Sequence, residues 1–92
     1  MARFTTRVEL HDADWSQYLS LHQQMARQGF SDTIDVTNGK VKMPPAEYNY
    51  DGNVSKDDVL AKAKAAASAV VTSYAVLVTE SNGRTWHGLT DA

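Results

Sequence analysis

Three histidines, His11, His22 and His87, are the side chains best suited to move protons near neutral pH. No two of them have a metal-ligand spacing such as HExxH. The chain has no cysteine, which excludes thiolate ligands, disulfides and cysteine nucleophiles. The residues therefore ask for no metal and no cofactor. His22 stands four residues after Tyr18 and four before Ala26, at the border of an apolar helical stripe. There it can serve as a general acid or base. It can also simply pack its ring on the stripe and keep a polar tip in water. His11 precedes Asp12 and Asp14. This reads as a strand-to-helix connection with capping carboxylates, or else as a divalent-ion site with Glu9 and Asp12 as oxygen ligands.

The basic residues form sets. Arg3 and Arg7 share a strand face with Thr5 and Glu9, opposite Phe4 and Val8, and would project from the open side of a sheet. Lys40 and Lys42 follow an Asn38-Gly39 turn signal. Arg27 lies near a helix end, where it also suits the helix dipole. Each alone reads as a solvated charge. Gathered on one face, Arg3, Arg7, Lys40 and Lys42 would grip phosphates. Tyr48 and Tyr50 invite comparison with the base-stacking aromatics of RNA-binding sheets. The strand Ala46-Glu47-Tyr48-Asn49-Tyr50 lacks the glycine and basic residue of that pattern, so both tyrosines are expected to face the helices. Trp86 could close the core or sit in a homodimer contact. There is no phosphate-cradling glycine loop, no GxSxG, no dinucleotide fingerprint and no DNA-specific motif.

These residues need elements to position them. Residues 3–10 alternate, with Phe4, Thr6, Val8 and Leu10 on one face, and predict a half-buried strand. Asp14 with Gln17 starts a helix as a capping box, with Asp12 as an alternative cap. Its stripe is Trp15, Tyr18, Leu19, His22, Met25 and Ala26, and Gly29 stops it as C′ with Phe30 folding back. A short strand spans 33–37, and Lys40 to Met43 pairs briefly before Pro44-Pro45 ends the ladder. Ala46 to Tyr50 is the next strand, and Asp51-Gly52-Asn53 is a turn. Ser55 and Asp58 cap a second helix with a stripe of Val59, Leu60, Ala63, Ala66, Ala67, Val70 and Val71. Tyr74 to Thr79 reads as a buried strand. Asn82-Gly83 signals a hairpin, with Arg84 to Leu89 as a terminal edge strand. The order predicts an α+β fold, a ferredoxin-like βαββαβ two-layer sandwich with a C-terminal β-hairpin extension and one open sheet face.

The 92 residues make one domain, 1–92, with a thin core that pairing with a second copy would thicken. Nine basic and eleven acidic residues give a formal net charge of −2, which argues against a broad, non-specific nucleic-acid binder. The absence of cysteine favours the cytoplasm. No run of ~18 apolar residues could span a membrane, and residues 1–10 do not form a signal peptide.

The organisation of residues 3 to 80 resembles the GhoS family, small bacterial antitoxins of toxin–antitoxin systems. The resemblance rests on the element order and on Met25-Ala26-Arg27-Gln28-Gly29-Phe30-Ser31 at the close of the first helix. The Gly39 turn, the proline loop, the Glu47-Tyr48-Asn49-Tyr50 strand and the capped second helix complete it. It implies an endoribonuclease fold similar to that of small CRISPR-associated nucleases, acting on messenger RNA. The family's helix-one arginine falls at His22, a departure, since histidine lacks arginine's permanent charge and fork. The acidic residue at the end of strand one falls at Glu9. The resemblance points to His22 and Arg27 as candidate catalytic residues, with His22 assisting a 2′-hydroxyl. The alternative is a non-enzymatic protein-binding or homodimerising accessory module of phage or mobile-element origin. A small-ligand site on the open sheet face is a third reading.

Overall fold

The computed structural model describes residues 2–37 and 39–92. Its elements are β1 (Ala2–Leu10), α1 (Trp15–Arg27), β2 (Thr33–Val36), β3 (Gly39–Lys42), β4 (Glu47–Gly52), α2 (Lys56–Ser68) and β5 (Tyr74–Glu80). The α+β class predicted from the sequence is the observed one. The tight turn expected at Asn38-Gly39 rests on Asn38, which lies outside the described residues.

β1 is the centre of a three-stranded antiparallel sheet of order β4-β1-β5. Its alternation does what the sequence predicts. Phe4, Thr6, Val8 and Leu10 are buried under the helices, and Arg3, Arg7 and Glu9 are exposed on the other face. β2 and β3 form a separate two-stranded sheet. The link to β4 is a single bridge, Ser31 with Asn49, closed by N–H to O bonds of 2.8 and 2.6 Å.

Both helices start on capping boxes, Asp14 with Gln17 and Ser55 with Asp58. α1 ends in a Schellman pair. Phe30 N–H reaches Met25 O and Gly29 N–H reaches Ala26 O, each at 3.0 Å, with Gly29 at φ +93°. Pro44 to Glu47 has the bond and the positive φ of a type II turn. Glu47 N–H bonds Pro44 O at 3.1 Å, Pro45 takes the second place, and Ala46 the third at φ +64°.

Four expectations are corrected. The buried face of α1 is Tyr18, Leu21, His22 and Met25, whereas Trp15 is 72% exposed, Leu19 46% and Ala26 exposed. The apolar arc of this helix is about 160° wide at 3.6 residues per turn, and only one side of it meets the sheet. β5 is not a buried strand. It pairs with β1 alone, so Tyr74, Val76 and Val78 are half-buried toward the helices while Leu77 stands 65% exposed on the other face. The C-terminal hairpin and edge strand are absent. Residues 81–92 instead cross the sheet face and run beside β3, with Lys42 N–H on Thr90 O at 2.8 Å and Ala92 N–H on Lys40 O at 3.0 Å. Arg84 turning inward onto β1 and β4 is what redirects them. The sheet face is therefore not wholly open. Part of it lies under this segment, while Arg7 and Leu77 stay exposed.

Two cores result. The larger joins β1, α1, β4 and α2 through Phe4, Val8, Leu21, Met25, Tyr48 and Val59. The smaller holds Ile34, Val41 and Met43, with Leu89 packed against them from the crossing segment.

Candidate functional site

Tyr48 and Tyr50 face the helices, as the alternation of β4 requires. Phe30, folded back by the end of α1, meets Tyr48 edge-on at 6.4 Å between ring centroids. Tyr48 is buried, and its hydroxyl meets His22 Nδ1 at 2.5 Å. Burial chiefly, and Asp32 next, push the Tyr48 hydroxyl well above its ordinary pKa, so it stays protonated. A neutral hydroxyl can donate to Nδ1 or accept from it, according to the imidazole tautomer. His22, Ala26, Phe30, Ser31, Asp32 and Tyr48 line a cleft of about 270 Å³ between the end of α1 and β4. His22 thus has one ring nitrogen fixed by Tyr48, in a cleft whose lining also includes Asp32 and Ser31.

Ser31 also lines a second cleft, of about 200 Å³, on the other side of the Ser31–Asn49 bridge. Arg3, Lys40, Arg84, Asp35 and Asp51 bring charge to its walls. Arg3 Nε lies 3.5 Å from Asp51 and Lys40 Nζ 3.7 Å from Asp35, both exposed pairs. Arg84 is half-buried. Its Nε donates to Thr5 Oγ1 at 2.8 Å, and Nη2 donates to Phe4 O at 3.1 Å and Asn49 Oδ1 at 2.5 Å. Burial first, and the neighbouring Arg3 second, lower the Arg84 pKa from its usual value.

Of the four cations expected to meet RNA, the fold brings Arg3 and Lys40 to one cleft. Arg7 is exposed further along β1, opposite Glu47 and Leu77 in register. Lys42 is exposed on β3 and lines neither cleft. Arg27 is exposed at the end of α1, five residues beyond His22, and does not line the His22 cleft. Glu9 meets His11 Nε2 at 3.3 Å, and His11 Nδ1 meets Ser73 Oγ at 2.8 Å. Among the described residues no three His, Asp or Glu side chains gather as a metal site. Trp86 is 43% exposed and lies in a cleft of about 180 Å³ with Thr5, Met43, Pro44 and Leu89, inside its own chain rather than on an edge strand.

Sequence reasoning missed Arg84, Asn49 and Ser31. Alternation along β4 could have found Asn49, since it must face away from Tyr48 and Tyr50, toward Thr5 and Arg3. Arg84 carries no such signal, because the path of residues 81–92 is set by tertiary contacts. Comparison with family models, curated proteins and solved structures returns no significant match.

Proposed function

We propose that this chain is a small RNA-interacting protein of the GhoS-like antitoxin type, with an endoribonuclease site at His22. The observation that carries the reading is the Tyr48–His22 hydrogen bond at the wall of a cleft. With the ring proton on Nδ1 and donated to Tyr48, Nε2 offers a lone pair. Nε2 then takes the proton of a ribose 2′-hydroxyl as that oxygen attacks the adjacent phosphorus. The bond from phosphorus to the 5′-oxygen breaks, the leaving oxygen takes a proton from water, and the hydroxide so formed takes back the proton held by the imidazolium. Asp32 beside the cleft would stabilise the imidazolium so formed. Arg3 and Lys40, with Arg7 and Lys42 further out, would hold the backbone. In this reading the bridge from Ser31 to Asn49 sets β2 beside β4 and extends the order to β2-β4-β1-β5, the ferredoxin-like arrangement, with β3 as an added strand.

The test is cleavage and binding of RNA by the purified protein over a salt series, beside His22→Ala and Tyr48→Phe. Wild-type cleavage should fall by roughly 10²–10⁴ in His22→Ala, the usual worth of a positioned acid or base. Tyr48→Phe should lose less, because the ring remains. Binding should weaken with salt, by a log–log slope of about −0.7 per phosphate contact. Cleavage surviving in His22→Ala, or no RNA bound at low salt, would refute the reading.

A second reading, a self-associating or protein-binding module in a cytoplasmic setting, is supported by Leu77, 65% exposed on the edge strand β5, which pairs with β1 on one side only. Loss of self-association in Leu77→Lys would support it.

A further inference from the structure

We propose that Arg84, Arg3 and Lys40 form a binding site for a phosphate group, with one hydroxyl of the Ser31–Thr33 pair as a neutral donor. The inference deepens the RNA reading and rests on it only where the phosphate is taken to belong to a polynucleotide.

Arg84 is the organising residue. A half-buried guanidinium is ordinarily matched by a carboxylate, because an uncompensated charge is costly to desolvate. Here all three of its acceptors are neutral: a threonine hydroxyl, a backbone carbonyl and an asparagine oxygen. No carboxylate lies within 4.0 Å of it, and Nη1 makes no hydrogen bond among the described residues. The guanidinium is thus fixed in orientation, with Asp51 favouring its charge only from beyond 4.0 Å. It borders a cleft of about 200 Å³, the room of six or seven waters at ~30 Å³ each.

The other two cations are held loosely. The Arg3–Asp51 and Lys40–Asp35 pairs are exposed and long, a class worth ~0–1 kcal/mol, so both can turn to a bound anion at little cost. The three cations and two carboxylates of the lining leave one net positive charge. Arg3 stands near enough to Arg84 to disfavour its charged form, a repulsion that an anion between them would relieve. Arginine forks suit phosphate oxygens in particular. Ser31 and Thr33 share one hydrogen bond, Oγ to Oγ1 at 2.8 Å, which leaves donor capacity for a ligand oxygen.

The test titrates the full chain with inorganic phosphate, a nucleoside monophosphate and a short oligoribonucleotide. It follows backbone amides and arginine Nε–H signals by NMR. Saturable shifts should centre on Arg84 Nε and on the amides of Ser31, Thr33 and Lys40. Lys40→Ala, an exposed change that the fold tolerates, should weaken phosphate binding about tenfold, the worth of one charge-assisted hydrogen bond. Arg84→Gln should weaken it at least as much. An oligoribonucleotide bound more tightly than free phosphate identifies the backbone as the source. Equal or weaker binding identifies a free phosphate or monoester, and either result supports the site. Phosphate bound with no RNA affinity would keep this site and remove the RNA reading. No saturable shift with phosphate, or phosphate affinity indifferent to both substitutions, would overturn the site.

Discussion

Thr6 is fully buried beneath the helices, and its Oγ1 has no hydrogen-bond partner among the described residues. A buried hydroxyl without a partner costs on the order of 1–3 kcal/mol, while an apolar side chain of the same shape avoids that cost. Thr6→Val should therefore stabilise the chain by about 1 kcal/mol and raise Tm by about 4–8 °C, as read by thermal unfolding. A lower Tm would show that Oγ1 has a partner in solution. Tyr48, directly opposite Thr6 in the β1–β4 register, solves the same problem differently, by sharing its hydroxyl with His22. The candidate site was partly legible at this scale. His22 stood out from its place at the edge of a stripe, and Arg3 from its strand face. Its partners did not, because Tyr48 lies 26 residues from His22 and Arg84 lies 79 from Thr5.

Local chemistry sets where the helices begin. Asp14 accepts from the Ser16 hydroxyl at 2.7 Å and from Gln17 N–H at 3.0 Å. Asp58 and Ser55 exchange bonds of 3.1 Å. The Ser16 hydroxyl and the Gln17 amide hold Asp14 below its ordinary value of 3.8, and the Ser55 backbone and hydroxyl do the same for Asp58. A carboxyl depressed in the folded state adds stability that is present above pH 3.8 and is lost as pH falls through its lower folded pKa. Helix content followed by circular dichroism should thus fade on acidification below pH 3.8. Asn caps as well as Asp but does not titrate. The variant Asp14→Asn should therefore keep α1 at neutral pH and show a shallower acid limb. An unchanged limb would mean that this cap does not drive it. These boxes, and Gly29 after α1, were readable because each is a contact between neighbours in sequence. The rotation of α1 was not, because six apolar residues span an arc wider than the sheet can cover, and Leu21 looked no different from Leu19.

At the scale of the whole molecule the chain is flat, 38 × 28 × 19 Å, with a radius of gyration of 12.9 Å. Its accessible surface of 5944 Å² exceeds the roughly 5,300 Å² expected for a folded protein of this mass. The excess comes with a divided interior, a main core under two helices and a small one beneath the β2–β3 hairpin. The hairpin joins β4 by one bridge and is otherwise clasped by residues 81–92, through backbone bonds to Lys40 and Lys42 and through Leu89. Such a unit should open without the rest unfolding, because few buried contacts hold it. Leu89→Ala removes the apolar half of the clasp, at a local cost of about 1–2 kcal/mol for a half-buried leucine. Hydrogen exchange should then quicken roughly 5- to 30-fold at Lys42 N–H and Ala92 N–H. The β1 amides paired with β4 and β5 should keep their protection. Uniform acceleration across both sets would mean that the hairpin and the main core unfold as one. Because Lys40 and Arg84 sit on the two halves of this clasp, its opening would also take apart the phosphate cleft, so the same variant should weaken phosphate binding while leaving the His22–Tyr48 contact intact.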